Sequence, residues 1–378
     1  MFQLRYLVRS KGLVARSSNY ELYAEISDRF MSLAAGLGPL IEQYSIDESW
    51  LGDLDGIKDL TRRAHAIRSR ILRWVGIGSG VGIAPSKTLA KLCNLVAKNS
   101  SRKPGSYPSE LAYVCNWADL DPDTRRLLLQ RTEVGDVWGI GGKLAPQLIS
   151  RGVMTALDLA NMPPGYVRST WGLVMERTVR ELNGISCIPL EEIPPSRQQI
   201  AVTRSFGKPV WELPLLIEAV SEFTSMAAEK LRKGKLRAGA IHVFIRTSPF
   251  RHSPRFYNSA VMQLGAPTSD SKVLVGAAIS ALKSIFEPDY LLAKAGVILL
   301  DLTPATQQQQ DLLAPPAERD QSLLMEAMDS INAKYGRGTL HVASLADERI
   351  RSSTWRPKQQ MRSPRYTTRL DEIPVVHA

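Results

Sequence analysis

Apolar residues recur at helical spacing in two stretches near the start of the chain. After Ser17-Ser18-Asn19, which are candidates for a helix N-cap, apolar side chains follow at intervals of three or four residues until Gly36, Gly38 and Pro39 end the pattern. A second stripe has arginines mostly away from it. Each pattern predicts an amphipathic helix with one face against a core. The stripes consist of Leu22, Ile26, Phe30, Leu33 and Leu37, and of Leu60, Ala64, Ile67, Ile71 and Val75.

A different pattern begins at Ile200, where strand-like alternation appears. Ile241, Val243 and Ile245 alternate with polar or aromatic neighbours, as in a strand with one buried face. The order predicted along this region is strand, helix, strand, strand, helix, strand, over 200–206, 216–231, 241–246, 257–264, 273–286 and 295–302. We expect one sheet backed by two helices.

Residues 41–54 predict a strand, a tight turn and a second strand, with Asp47 and Glu48 side by side at the turn. Neighbouring side chains on a regular strand point to opposite faces, so these two carboxylates can share a target only where a turn breaks the pleat. Adjacent carboxylates suit Mg²⁺, which takes one or two protein carboxylates and completes its shell with water and phosphates. The alternative is a solvated acidic turn without a function.

A lysine edge is predicted on the helix that follows Pro85. Lys87, Lys91 and Lys98 fall within about 40° of arc on a regular helix and form an edge about 16 Å long. Such an edge beside a metal site can hold a triphosphate, because lysine offers a compact positive charge to phosphate oxygens. A solvated basic edge explains the same spacing.

Glycines at 139, 141 and 142 lie between two helical patterns and predict a tight hairpin. Backbone N–H groups at the start of the second helix, near Gly141 and Lys143, can donate to a phosphate oxygen. Ile140 stands between the glycines as an apolar anchor. The alternative is a glycine-rich connection between helices.

Composition limits the class of protein. The 378 residues exceed one core and suggest two to four domains. With 44% hydrophobic residues and no apolar run near 18 residues, we expect a soluble protein without a membrane span, and the first residues do not read as a signal peptide. Three widely spaced cysteines predict free thiols in the cytoplasm. A net charge of +11 favours nucleic acid as a partner, although a generically basic protein has the same charge.

Four segments together resemble the Y-family of DNA polymerases, and within it the UmuC-like branch: Ile41–Leu54, Val81–Lys98, Val137–Gly141 and Ser363–Arg369. The resemblance implies an α+β multidomain fold with a partial polymerase palm, a small helical thumb with a helix-hairpin-helix, a βαββαβ little finger and a C-terminal extension. The implied boundaries are 1–39 for a remnant of the fingers and palm, 40–108 for the palm, 109–190 for the thumb, 191–302 for the little finger and 303–378 for the tether and extension.

The resemblance also implies a reaction and residue roles. Members add nucleotides opposite damaged template by two-metal transfer, as an error-prone part of the SOS response. Asp47 would bridge the metals, Glu48 would help to hold the metal at the primer terminus, and Lys98 would contact the incoming triphosphate. Candidate contacts to primer-template DNA lie in the hairpin and on strands, although a single strand arginine is more often just solvated. They are Gly139, Ile140, Gly141 and Lys143 in the hairpin, and Arg204, Arg246 and Arg255 on strands.

The proline- and glutamine-rich stretch near residue 310 predicts a flexible tether. Within it Gln309, Leu312 and Leu313 resemble a sliding-clamp binding box, in which Gln310 and Leu313 depart from the usual residues. An ordinary linker is the alternative. The basic C-terminal extension implies contact with a UmuD-like partner subunit or with a recombinase filament.

One part of the family pattern is missing from this sequence. Family catalysis uses a further Asp on an early strand, and the carboxylates before Asp47 are Glu21, Glu25, Asp28 and Glu42, none in that context. We therefore expect a chain shortened at its front, which binds DNA without polymerising. Two alternatives to a polymerase stay open: a DNA- and clamp-binding remnant, and a helix-hairpin-helix repair accessory in which Asp47-Glu48 is a surface turn.

Overall fold

The computed structural model describes residues 4–191, 196–251, 253–306, 321–336, 338–342, 355 and 361–376. The chain divides into two compact units. The first unit comprises Met1–Pro194 together with Met361–Ala378, and the second comprises Pro195–Gln360.

The first unit starts with two helices and a hairpin, namely α1 (Arg5–Lys11), α2 (Tyr20–Ala34), β1 (Leu40–Gln43) and β2 (Ser49–Gly52). Helix α2 begins where the sequence predicts, because the side chain of Asn19 accepts a hydrogen bond from the N–H of Leu22 and caps the helix. Its most buried positions are Ser27, Met31 and Ala34, beside the predicted stripe. The basic start of the chain was not predicted to contain α1.

A parallel pair of strands and two longer helices follow: α3 (Leu60–Val75), β3 (Val81–Ile83), α4 (Lys87–Arg102) and β4 (Val114–Asn116). Helix α4 lies directly on β3. A Cβ atom at Gly82 would stand 2.1 Å from the carbonyl oxygen of Ala90, so glycine is required at this crossing. The capping side chain of α4 is Ser86, which accepts from the N–H of Leu89.

Short helices complete the first unit: α5 (Pro122–Arg131), α6 (Leu144–Ile149), α7 (Ala156–Ala160), α8 (Pro164–Trp171) and α9 (Leu173–Leu182). Their buried side chains form one core with those of α4, including Leu89, Leu128, Leu148 and Val179. The core fixes α4 relative to these helices.

The second unit has the element order that the alternation predicts: β5 (Ile200–Val210), α10 (Leu213–Lys233), β6 (Leu236–Thr247), β7 (Tyr257–Thr268), α11 (Ser271–Ile285) and β8 (Leu292–Pro304). Within the described part of this region the strands form one antiparallel sheet in the order β5-β8-β6-β7. Side chains of α10 and α11 share a core with one face of the sheet, which includes Ile241, Val243 and Ile245.

Two C-terminal parts belong to the second unit. Helix α12 (Ser322–Tyr335) is held by Asp329, whose carboxylate accepts from Arg232 through both oxygens at 2.7 Å. Trp355 is 2% exposed and lies edge-on to Phe223, with 5.5 Å between the ring centroids. None of the helices in the described ranges has the length and apolar character needed to cross a membrane.

Candidate active site

The acidic turn joins β1 to β2. The N–H groups of Tyr44 and Ser45 donate to the carbonyl oxygen of Glu48 at 3.1 and 3.0 Å, which closes the turn. Asp47 is exposed at its tip, and its carboxylate accepts from the hydroxyl of Ser45 at 2.7 Å. The regular pleat therefore ends before the two carboxylates, as the sequence predicts.

Two lysines of α4 converge on Glu48. The Nζ atom of Lys91 lies 2.6 Å from one carboxylate oxygen of Glu48, and that of Lys98 lies 3.8 Å from the other. The side chain of Lys98 is 39% exposed and that of Lys91 is 21% exposed. The carboxylate of Glu48 thus faces a positive edge, and Lys98 is its more loosely held and more accessible member.

The third lysine of the edge has a different environment. Lys87 is buried, and its Nζ atom lies 2.5 Å from the carboxylate of Glu42 on β1. The same carboxylate oxygen accepts from the N–H of Glu191 at 2.8 Å. Lys87 and Glu42 therefore fasten the hairpin to the first turn of α4.

An aromatic cluster, formed by Tyr44, Trp50 and Trp138, stands beside the turn. The centroid of the Trp138 ring lies 5.9 Å from that of Tyr44 and 5.5 Å from that of Trp50, both edge-on. The indole N–H of Trp138 donates to the hydroxyl of Tyr44 at 3.3 Å. Lys91 lies 5.4 Å from the Tyr44 ring centroid and Lys87 lies 5.7 Å from that of Trp50. Sequence reasoning missed this cluster, because Trp138 is 94 residues from Tyr44.

A buried carboxylate, that of Glu181, supports the start of α4. It accepts from the N–H and hydroxyl of Thr88 at 2.8 and 2.6 Å, and from the N–H groups of Cys187 and Ile188 at 3.2 and 3.0 Å. A negative group at a helix N-terminus is favoured by the helix dipole and by the unpaired amides. Nothing in the local pattern around Glu181 pointed to it.

The glycine hairpin precedes α6. Gly139 has φ of +89°, a backbone conformation that disfavours any side chain. Ile140 is buried, whereas Gly141 and Lys143 are exposed. Apart from its two chain neighbours, no described residue has a heavy atom within 4 Å of the position that a Cβ would take at Gly141, so its backbone is open to solvent. The hairpin thus presents the predicted backbone to the outside.

Of the three arginines predicted on strands, Arg204 and Arg246 lie on opposite faces of the sheet. Arg255 is not on a strand, because β7 begins at Tyr257. Arg246 is directly opposite Lys294, whereas Arg204 is opposite Ala295, which in turn is opposite the buried Ile245. Directly opposed residues share a face. Arg246 and Lys294 therefore lie on the face away from α10 and α11, where with Arg251 they line a groove of about 220 Å³, and Arg204 lies on the other face.

Carboxylate oxygens, as in Asp47 and Glu48, are the ligands that Mg²⁺ prefers. Across the described residues, no group of three or more Asp, Glu, His or Cys side chains is placed to hold a metal ion. Two carboxylates suffice for Mg²⁺ when water and substrate phosphates complete its shell. The donor set fits a magnesium ion shared with a phosphate-bearing substrate. The predicted clamp-binding residues Gln309, Leu312 and Leu313 lie outside the described residues.

Comparison with known proteins places the chain in a family. Three family models match it: the impB/mucB/samB family over residues 1–94, the C-terminal domain of that family over 197–312 and a domain of unknown function over 322–376. Protein UmuC of Salmonella typhimurium is 39% identical over 377 residues, which cover 98% of this chain and 86% of UmuC. The chain belongs to the impB/mucB/samB family.

The chain is a UmuC-like member of the Y-family, as the sequence motifs predict. Protein ImpB of Salmonella typhimurium is 38% identical, with 99% of this chain and 86% of ImpB covered. More distantly, DNA polymerase IV of Moorella thermoacetica is 28% identical over 86% of this chain and 76% of its own length. A solved Y-family DNA polymerase chimera has a TM-score of 0.57 at 20% identity, over 75% of this chain and 77% of the chimera. The UmuC-like chain therefore shares the mixed α/β fold of that polymerase.

Proposed function

We propose that this UmuC-like chain is a DNA-directed DNA polymerase that adds nucleotides opposite damaged template, with low fidelity, in the SOS response. The observation that carries the proposal is the convergence of Lys91 and Lys98 on Glu48, next to the exposed Asp47. Adjacent carboxylates and an accessible lysine are among the groups that transfer of a nucleotide from a triphosphate requires.

Asp47 and Glu48 would hold Mg²⁺, which when bound stabilises the attacking and leaving oxygens. Lys91 keeps the carboxylate of Glu48 at the edge of α4, and the hydroxyl of Ser45 orients that of Asp47. Lys87 is paired with Glu42, so we propose that it holds the hairpin in position. Lys98 is more exposed than Lys87 and Lys91 and lies farther from its carboxylate partner, so it is the lysine that would contact a triphosphate.

DNA contacts are proposed in both units. In the first unit, the exposed backbone at Gly139–Gly141 and Lys143 would bind a phosphate without reading sequence. In the second unit, Arg246 and Lys294 form a positive pair on the sheet face away from the helices. The net charge of +11 supports a polyanion partner. We further propose a sliding clamp, a UmuD-like subunit and a recombinase filament as protein partners, in the cytoplasm.

A second candidate function, DNA binding without nucleotide addition, is favoured by one observation. In the described part of the chain, Asp47 and Glu48 are not part of a larger cluster of metal-binding side chains. Two ions roughly 4 Å apart need more oxygen ligands than this pair supplies alone. Single-nucleotide addition measured beside a gel shift, on intact and on damaged primer-template, separates the candidates: DNA binding with addition supports the polymerase, and binding without addition supports the second function.

The role of Lys98 is tested by the nucleotide dependence of addition. Lys98→Ala should raise the KM for the incoming nucleotide about tenfold, because one contact to the triphosphate is lost. Lys103→Ala is the matched control, since it removes an exposed lysine just beyond the end of the same helix. A KM that is the same in the two variants would contradict the assignment.

A further inference from the structure

The last described segment of the chain, residues 361–376, packs against the start of α2 in the first unit. The N–H of Ser17 donates to the carbonyl oxygen of Met361 at 3.0 Å, and Ser17 and Arg362 form an isolated parallel bridge. This segment falls within the match to the domain of unknown function. Part of that domain is therefore built into the unit that carries the acidic turn.

Asn19 is the centre of the contact. Its side chain is fully buried and both ends of the amide are used. The amide nitrogen donates to the carbonyl oxygens of Ser363 and Pro364 at 2.9 and 3.3 Å and lies 3.3 Å from the Ser363 hydroxyl. The amide oxygen accepts from the N–H of Leu22. One buried side chain thus caps α2 and holds the C-terminal segment, and a buried amide needs both sets of partners.

Charges on the surface support the same placement. Arg365 lies 2.8 Å from the carboxylate of Glu21 in the first turn of α2. The N–H of Arg365 also donates to Glu372 at 2.6 Å, which folds the segment back on itself. Exposed ion pairs contribute little individually. Their part here is to orient a segment that Asn19 anchors.

Helix α2 connects this contact to the acidic turn. The hydroxyl of the buried Ser27 donates to the carbonyl oxygen of Ile46, the residue before Asp47. Ser27 is about 12 Å along the helix from Asn19, at the rise of a regular helix. A shift at the capped end of a rigid helix therefore moves the group that supports the turn.

We propose that residues 361–376 are a positioning segment for the acidic turn, held by Asn19 and acting through α2 and Ser27. This assigns a role to part of the domain of unknown function: its end completes the first unit. The consequence for nucleotide addition rests on the function proposed above, whereas the docking of the segment on Asn19 does not.

The variant Asn19→Asp removes the hydrogen bonds to the C-terminal segment and keeps the helix cap. Aspartate caps a helix as well as asparagine does, but it replaces the amide donor by an acceptor that faces two carbonyl oxygens. Asn183→Asp is the control for the same chemical change at an exposed position, because the amide of Asn183 donates to the carbonyl oxygens of Ala160 and Val179, which lie outside the segment. Glu21→Gln, at an exposed position, is a milder second variant in which the fold is retained.

Limited trypsin digestion of the full chain reads out the docking at Arg362, Arg365 and Arg369. We expect release of the C-terminal peptide about tenfold faster in Asn19→Asp and about twofold faster in Glu21→Gln, with Asn183→Asp close to the parent. Release at the parent rate in both Asn19→Asp and Glu21→Gln would overturn the proposal. An Asn19→Asp protein that fails to fold leaves the decision to Glu21→Gln.

Nucleotide addition by the same proteins tests the positioning. We expect Asn19→Asp to slow it about tenfold with unchanged DNA affinity, since a small displacement of reacting groups has a large effect on rate. Faster peptide release with an unchanged rate of addition would overturn the link to the turn. If the parent protein adds no nucleotide, the proposed function fails, and the digestion still decides whether the segment docks on Asn19.

Discussion

Lysines on one edge of a helix have two different environments in this protein. Lys87 is buried against Glu42, whereas Lys98 keeps a 3.8 Å contact with Glu48 and stays partly exposed. A buried ion pair that loses one partner leaves an uncompensated charge. Lys87 therefore stays paired with Glu42. The exposed lysine can exchange its partner for a phosphate oxygen.

Stability depends on a residue far from the acidic turn in sequence. Glu181→Gln should lower the free energy of unfolding by about 2–4 kcal/mol. In the parent, both carboxylate oxygens of Glu181 accept hydrogen bonds, whereas the NH₂ group of glutamine would face N–H donors and could not accept from them. Urea denaturation followed by circular dichroism measures the change. Glu176→Gln on the same helix is the control, since its partners Arg168 and Arg180 can turn to water, and it should lose less. Equal losses would contradict the role given to Glu181.

Trp138 should affect the rate of nucleotide addition without binding DNA itself. Trp138→Leu removes the ring that packs on Tyr44 and Trp50, and we expect addition to slow about tenfold with DNA affinity within about twofold of the parent. Trp171→Leu is the matched control, because the Trp171 ring packs on Tyr166. Single-turnover kinetics and a gel shift measure both quantities. Equal rates in the two variants would show that the aromatic cluster does not support the turn.

Spacing along the sequence was sufficient to predict the acidic turn and its lysine edge, because turn and helix geometry are local. The partners Glu42, Glu181 and Trp138 were not predicted. Glu42 is 45 residues from Lys87, and Glu181 is 93 residues from Thr88. Such contacts depend on how the elements pack, which residue spacing does not encode.

In the hairpin before α6, two glycines differ in backbone conformation. Gly139 has a positive φ, and Gly141 does not. Gly141→Val should therefore fold normally but weaken DNA binding for every sequence, with a salt dependence smaller by about one phosphate contact. Gly139→Val is the contrasting variant, since strain at a positive φ should lower its melting temperature. Identical salt slopes and affinities for Gly141→Val and the parent would count against the contact.

Element order was predictable where periodicity was clear. In residues 200–304 alternation and helical spacing predict every strand and helix in order, although β5 extends to Val210, beyond the predicted 206. Its register shifts between Ser205 and Val210, and a bulge of this kind interrupts simple alternation. Helix α1 was missed because its seven basic-rich residues are too few to show a helical period.

The C-terminal part of the chain is divided between the two units. The sequence suggested a continuous extension after residue 303. In the structure α12 and Trp355 belong to the second unit, and Met361–Ala378 belongs to the first. Asn19 contacts Ser363, 344 residues away, and no local pattern encodes such a contact.

We propose the turn with Asp47 as the reaction centre of a polymerase. Single-nucleotide addition by Asp47→Asn, compared with Asp55→Asn, tests it most directly, because the two variants carry the same change and Asp55 is exposed in the loop after β2. Asp47→Asn should slow addition about a thousandfold or more while DNA affinity is kept, since the lost carboxylate acts on the metal and not on the DNA backbone. Asp55→Asn should match the parent. Addition at the parent rate by Asp47→Asn would contradict the role proposed for Asp47.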